Sequence, residues 1–213
     1  MSHEIIPERI DYGDEELNRE DLPTEPMAVF REWMRHAVQQ GVEEANAVCL
    51  CTVDEEGHPD GRIVLLKQIE DEGLLFYTNY GSRKGRQLAC RPLATLVSWW
   101  QPLRRQIRVS GRVEKIETKD SDAYFSSRPR DSRLGAWVSR QSEPVDSREV
   151  LEKKLEEVDR RFGSEVPRPD YWGGYRLVPS RFEFWQGRDS RLHDRFEYQI
   201  DEGGRWDVRR LMP

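Results

Sequence analysis

The spacing of turn signals constrains this chain more than any other feature. After residue 46, strand-like apolar runs recur at short intervals: 46–53, then 61–69 beyond the turn DEEGHP, then 74–79 beyond DEG. Connections this short join antiparallel neighbours, whereas parallel strands need a crossover of a dozen or more residues. Further runs at 93–100 and 104–117, and the C-terminal segments WGGYRLVP, RFEFWQG, RLHDRFEYQI and RWDVRRL, extend the series. Six or more antiparallel strands with few helices predict an α+β protein built on a closed or nearly closed β-barrel with peripheral helices.

The helices are legible by period. Met27, Phe30, Trp33, Met34, Ala37 and Val38 recur at three- and four-residue steps from Pro26 to Gln40, with Gly41 as a stop. SRKGRQLACRP, residues 82–92, predicts a short helix opened by Ser82 and ended before Pro92. Within 118–162, short helices carrying Tyr124, Phe125, Leu134, Trp137 and Val138 are expected, and a strongly charged one in SREVLEKKLEEVDRRF, capped by Ser147. The polar, acidic residues 1–21 show no periodicity and are expected to form a mobile segment before one domain spanning 22–213.

Composition excludes several classes. No apolar run approaches the roughly 20 residues of a membrane helix, and the opening residues lack the basic start and apolar centre of a secretory signal. A cytoplasmic protein is expected. The formal net charge of -6 argues against a nucleic-acid binder that relies on overall positive potential. Positive charge is instead local: Arg83, Lys84, Arg86 and Arg91 enclose no acidic residue, and Arg128, Arg130 and Arg133 enclose only Asp131. Such clusters suit small anionic ligands. Three cysteines without C-x-x-C spacing read as reduced, buried fillers, and the four scattered histidines predict no metal site.

Four segments carry chemistry. FEFWQGRDSRLHDRFEYQ, residues 182–199, sets Arg188, Arg191, His193 and Arg195 within an aromatic strand pattern. Arginine both stacks on planar rings and grips phosphate, and histidine can orient a ligand or exchange a proton. The alternative is the wet face of an edge strand. RIVLLK, 62–67, sets a cation at each end of an apolar strand about 20 Å long, and could equally be a core strand whose ends reach water. In YTNYGSRKGRQL, 77–88, a strand turns into a helix whose first turn carries Ser82, Arg83 and Lys84, a cradle for phosphate. Tyr124, Arg128 and Ser132 stand at steps of four across a bend at Pro129 and could hold a second phosphate, while Gln141 and Ser142 could bond a heterocycle edge.

RIVLLK, FYTNYGSRK, RPRDSRLGAWVSRQS, YWGGYRL, EFWQG and RLHDRF, in this order and spacing, resemble the pyridoxine/pyridoxamine 5′-phosphate oxidase family from about Leu22 to Pro213. The resemblance implies an FMN-binding split barrel, a homodimer whose flavin is held by both subunits. It implies FMN contacts at Arg62, Ile63, Val64, Leu65, Leu66, Lys67, Tyr77, Thr78, Arg83, Lys84, Gln106, Gln141, Ser142, Trp185 and Arg195. Lys67, Tyr124, Arg128 and Ser132 would hold the substrate phosphate, Arg191 and His193 would flank its pyridine ring as catalytic residues, and Arg9 and Tyr12 would belong to a lid. The implied reaction oxidises pyridoxine or pyridoxamine 5′-phosphate to pyridoxal 5′-phosphate with dioxygen as acceptor. A flavin reductase on the same barrel, or a flavin or pyridoxal-phosphate carrier without turnover, are the competing readings.

Overall fold

The computed structural model of the chain describes residues 12, 13 and 15–213. The strands are β1 (Ala47–Val53), β2 (Pro59–Ile69), β3 (Leu74–Asn79), β4 (Leu93–Trp100), β5 (Arg105–Lys115), β6 (Trp172–Gln186), β7 (Asp194–Ile200) and β8 (Trp206–Arg210). The helices are α1 (Pro26–Gln39), α2 (Arg83–Cys90), α3 (Thr118–Ser127), α4 (Arg130–Val138) and α5 (Arg148–Phe162). The strand order is β3-β2-β1-β4-β5-β6-β7-β8, and a further β3–β6 pairing closes the first six strands on themselves. The result is the expected α+β antiparallel barrel. Tight turns such as Asp54–His58 set the β1/β2 register, with Val53 opposite Pro59 and Ala47 opposite Leu65.

The chain divides into two compact units. One comprises 46–96 and 110–179. Its core takes Leu50, Leu74, Phe76, Leu96 and Leu177, each nearly inaccessible. A satellite cluster of Phe125, Leu134, Val166 and Trp172 sits beneath α3 and α4. The other unit comprises the described residues up to Ala45, together with Val97–Val109 and Ser180–Pro213. There the apolar stripe of α1 covers aromatic strands: Trp33 meets Phe184 edge-on at 5.3 Å and Phe30 meets Phe182 at 6.5 Å. Leu17 and Leu22 are buried in the same unit, and the Leu17 N–H donates to Asp194 at 3.1 Å.

Several local expectations change. WGGYRLVP and RFEFWQG form one strand of 15 residues, because Pro179, which has no N–H to give, falls between the stretch paired with β3 and the stretch paired with β7. Conversely, the aromatic pattern at 182–199 is not continuous: residues 187–193 leave the sheet, and Arg188, Arg191 and His193 lie on the β6–β7 connection. Ser147 begins α5 without a side-chain cap bond. The cysteines are not in disulfides but are not fully buried either; Cys49 and Cys51 are half-buried with sulfurs 3.9 Å apart, and Cys90 is exposed.

Candidate active site

A cleft of about 690 Å³ opens in the unit formed by 46–96 and 110–179. Ile63, Val64, Leu65 and Lys67 of β2 line it, with Tyr77 and Thr78 of β3, Lys84 of α2, Tyr124, Arg128 and Ser132 of the α3–α4 corner, and Gln141. Residues from three of the four sequence motifs therefore line one space.

Local geometry explains each contribution. Leu66 pairs with Phe76 while Gln68 pairs with Leu75, so Lys67 is the extra residue of a β-bulge. A bulge re-aims the side chain it inserts, and Lys67 is directed into the cleft. Leu66, 4% exposed, gives its side chain to the core. Ser82 caps α2, accepting from the Gly85 N–H at 3.3 Å. Gly85 is obligatory at this tight entry, because a Cβ there would stand 2.1 Å from the Tyr80 carbonyl oxygen.

Lys84 is the chief anion-binding candidate. It is buried, and its ammonium donates to Thr78 Oγ1 at 3.3 Å, Gln141 Oε1 at 3.0 Å and Ser82 Oγ at 3.5 Å, all neutral oxygens. Burial, then repulsion from Arg62, pushes its pKa below the ordinary lysine value. A cation so placed gains most from a ligand that brings negative charge. Thr78 also donates to Gln141 at 3.0 Å, and the Arg83 N–H reaches Ser142 Oγ at 3.2 Å, tying the chain after α4 to the start of α2.

The far wall is aromatic. Tyr77 and Tyr124 stack at 3.8 Å, and Trp172 lies parallel to Tyr124 at 6.2 Å with an interplanar angle of 4°. Burial, reinforced by Tyr124, pushes the Tyr77 pKa up to about 12. Arg128 follows the end of α3 in an extended conformation, and with Pro129 it makes the expected bend. Its guanidinium lies 4.6 Å from the Trp172 ring centre, and its buried Nη1 has no hydrogen-bond partner. An orphaned guanidinium N–H inside a cleft fits an anionic ligand, because leaving a buried donor unmet is costly.

The remaining residues lie elsewhere. Arg62 is held by Thr52 Oγ1 at 2.5 Å, the Leu50 carbonyl at 3.0 Å, Gln87 Oε1 at 3.1 Å and Asp60 at 2.5 Å. The Arg83 side chain lines a neighbouring cleft with Asp60, Arg86 and Gln87. Sequence reading missed Thr52 and Gln87, both buried; Thr52 donates to Gln87 at 2.6 Å, a pairing across 35 residues that no local pattern reveals.

In the other unit, Trp185, His193 and Tyr12 come together. The His193 ring lies 4.6 Å from Trp185 and 5.6 Å from Tyr12, and Arg104 stands over Tyr12 at 5.2 Å. Asp189 Oδ1 accepts from the N–H groups of Tyr12 and Gly13, each at 2.9 Å. Arg191 is exposed and left-handed, with φ 62°. Arg195 is bound to Glu183 Oε1 at 2.8 Å and donates to the Met212 carbonyl. Gln106 is half-buried on β5. Arg9 lies outside the described residues.

Comparison with known proteins accords with this geometry. Residues 34–162 match the family model described as pyridoxamine 5′-phosphate oxidase, and 172–213 match the pyridoxine 5′-phosphate oxidase C-terminal dimerisation region. The pyridoxine/pyridoxamine 5′-phosphate oxidase of Cupriavidus taiwanensis is 52% identical over 92% of this chain and 93% of its own. That of Microcystis aeruginosa is 50% identical over the full length of both. Among solved structures, PhzG from Burkholderia lata, in complex with tetrahydrophenazine-1-carboxylic acid, superposes with a TM-score of 0.89 at 31% identity, covering 95% of this chain and all of that one. An FMN-binding protein from Nostoc punctiforme related to pyridoxamine 5′-phosphate oxidase shares the fold, at TM-score 0.70 and 18% identity over 86% of this chain and 97% of its own. With both family regions matched and relatives half identical along its length, the chain belongs to the pyridoxamine 5′-phosphate oxidase family.

Proposed function

We propose that the protein oxidises pyridoxine 5′-phosphate or pyridoxamine 5′-phosphate to pyridoxal 5′-phosphate, using FMN and dioxygen. One observation carries the reading: a single cleft holds two cations suited to anions, Lys84 among neutral oxygens and Arg128 with an unmet donor. Two phosphate grips in one cleft match two phosphorylated molecules held together.

Lys84, Thr78 and Gln141 would hold FMN, with the β2 backbone of 62–67 along its ring system. Tyr124, Arg128, Ser132 and Lys67 would hold the substrate phosphate. Bound FMN supplies the two-electron acceptor for the hydrogen leaving C4′, and dioxygen takes those electrons as hydrogen peroxide. The alcohol then balances as CH₂OH + O₂ → CHO + H₂O₂, and the amine requires one water and releases ammonia. The protein's share is orientation, since a clamp at each phosphate makes the encounter effectively unimolecular. Gln106, Trp185 and Arg195 are assigned to the same flavin in a homodimer whose sites draw on both subunits. The match of 172–213 to a dimerisation region supports that assembly.

Similarity to PhzG favours a second reading, in which a larger, unphosphorylated ring occupies the same barrel. The Tyr124, Arg128 and Ser132 cluster weighs against it, since such a substrate leaves the second grip unused. Purified protein reconstituted with FMN should release peroxide from pyridoxamine or pyridoxine 5′-phosphate and not from the dephosphorylated vitamers. Flavin binding without peroxide would favour a carrier, and equal rates without the phosphate would favour a different oxidase or reductase.

A further inference from the structure

Gln106, Trp185 and Arg195, assigned above to the flavin, stand on neighbouring strands of one unit, and a buried acid stands among them. Trp185 lies directly opposite Arg195 in the β6–β7 register. Glu183 comes two residues before Trp185, so both side chains leave the same face of β6. On β5 the same spacing puts Arg108 on the face of Gln106. Glu183 is 6% exposed and joins the flanking strands: Arg108 donates to its Oε2 at 2.9 Å, while Arg195 Nε and Nη2 reach its Oε1 at 2.9 and 2.8 Å. Arg195 Nη1 donates to the Met212 carbonyl at 2.8 Å. The guanidinium is therefore gripped along two edges, and a fork of five donors has more to offer than these contacts use.

We propose that Glu183 is a positioning residue of the flavin site, fixing Arg195 in the conformation that meets FMN while Arg108 holds the carboxylate from the other side. The proposal rests on the assignment of Arg195 to FMN made above. Glu183 reaches Arg195 along the diagonal of the β6–β7 pair, a span that long side chains bridge. An arginine left unheld has many rotamers, and ordering it costs entropy when the ligand arrives; held by Glu183, it loses that freedom on folding instead. Glu197, directly opposite Glu183 and equally buried, turns to other cations, Arg209 at 2.9 Å and Arg181 at 3.8 Å. Two adjacent carboxylates thus serve separate arginines, and the one assigned to the flavin is held by Glu183.

FMN titrations of the apoprotein, read by quenching of flavin fluorescence, test the role. Glu183→Ala should raise the FMN Kd about tenfold, the worth of a charged hydrogen bond. Glu183→Gln, which keeps an acceptor oxygen in place, should raise it only about threefold, and decides the matter if the alanine variant does not fold. Glu197→Ala removes an equally buried carboxylate from the same sheet, so it should lower the melting temperature comparably yet leave FMN affinity within about twofold. The double variant Glu183→Ala/Arg195→Ala should bind FMN no more weakly than Arg195→Ala alone, because Glu183 acts through Arg195. Losses that multiply in the double variant, equal weakening by the Glu183 and Glu197 substitutions, or unchanged affinity in Glu183→Gln would each overturn the proposal. Wild-type protein that binds no FMN would sink the proposed function and this inference together; wild-type binding with an unaffected Arg195→Ala variant would sink this inference alone.

Discussion

At the scale of single residues, binding and turnover should separate. Lys84→Ala removes a charged donor worth about 1.5–3 kcal/mol, so FMN affinity should fall roughly 10- to 100-fold, read by quenching of flavin fluorescence. Arg191→Ala should keep its FMN and lose about 100-fold in kcat, the scale of a lost electrostatic contact to the reacting centre. Equal flavin loss in both variants would contradict two distinct roles. The Lys84 ammonium also predicts a pH profile. Burial lowers its pKa in the free protein, and a bound phosphate favours the charged form, so binding takes up a proton once the pH exceeds that lowered value. FMN affinity should be level below it and decline as pH rises through it, and Lys84→Met should abolish the slope. Part of this was legible in the chain: Tyr124, Arg128 and Ser132 at steps of four, and Lys84 in the first turn of α2, reach one cleft, while Arg83 lines the neighbouring one. The fate of Arg62 was not, because its partners Thr52 and Gln87 arrive through strand pairing and helix docking far away in sequence.

At the scale of elements, two contacts hold site-bearing segments in place. Gly85→Ala would drive a methyl into the Tyr80 carbonyl oxygen, costing about 1–3 kcal/mol, visible as a melting temperature lowered by roughly 2–4 °C per kcal/mol. A lowered midpoint with normal flavin stoichiometry is expected; an unchanged midpoint would show that α2 entry tolerates a side chain. Asp194 begins β7 and joins it to Leu17, Arg188 and Arg210. Burial opposes its charge, but the Leu17 N–H and the two guanidiniums outweigh that and hold its pKa below the ordinary 3.8. A carboxylate with a depressed pKa stabilises the fold above its unfolded value, and that stability is lost as pH falls through the folded one. Urea midpoints of the wild type should therefore drop more steeply below about pH 4 than those of Asp194→Asn. The strands that end in marked turns, β1 to β5, stood near their expected bounds. The 187–193 loop was hidden by its own aromatic flanks, since Trp185 and Phe196 continue an alternation that the intervening glycine and left-handed Ser190 and Arg191 interrupt.

At the scale of the whole molecule, a homodimer with flavin sites drawn from both subunits predicts complementation. Lys84→Ala and Trp185→Ala homodimers should each be impaired. After unfolding, mixing and refolding, half the dimers would be hybrids with one intact site of two, so about a quarter of the sites should regain full activity. No gain after demonstrated subunit exchange would mean that each site is built within one chain. Strand count and turn spacing carried the barrel, but assembly was beyond them, because an interface depends on which apolar side chains stay uncovered, such as Ile63 and Leu93 at 65% and 64% exposure. Two phosphate grips that bring a vitamin B6 ester against a bound flavin can be read from the visible spectrum of the purified dimer under anaerobic titration. The protein should be yellow with about one FMN per subunit, bleached by stoichiometric pyridoxamine 5′-phosphate and restored by air; failure to take up FMN, or a flavin spectrum unmoved by that substrate, would mean that the two grips do not bring ester and flavin together.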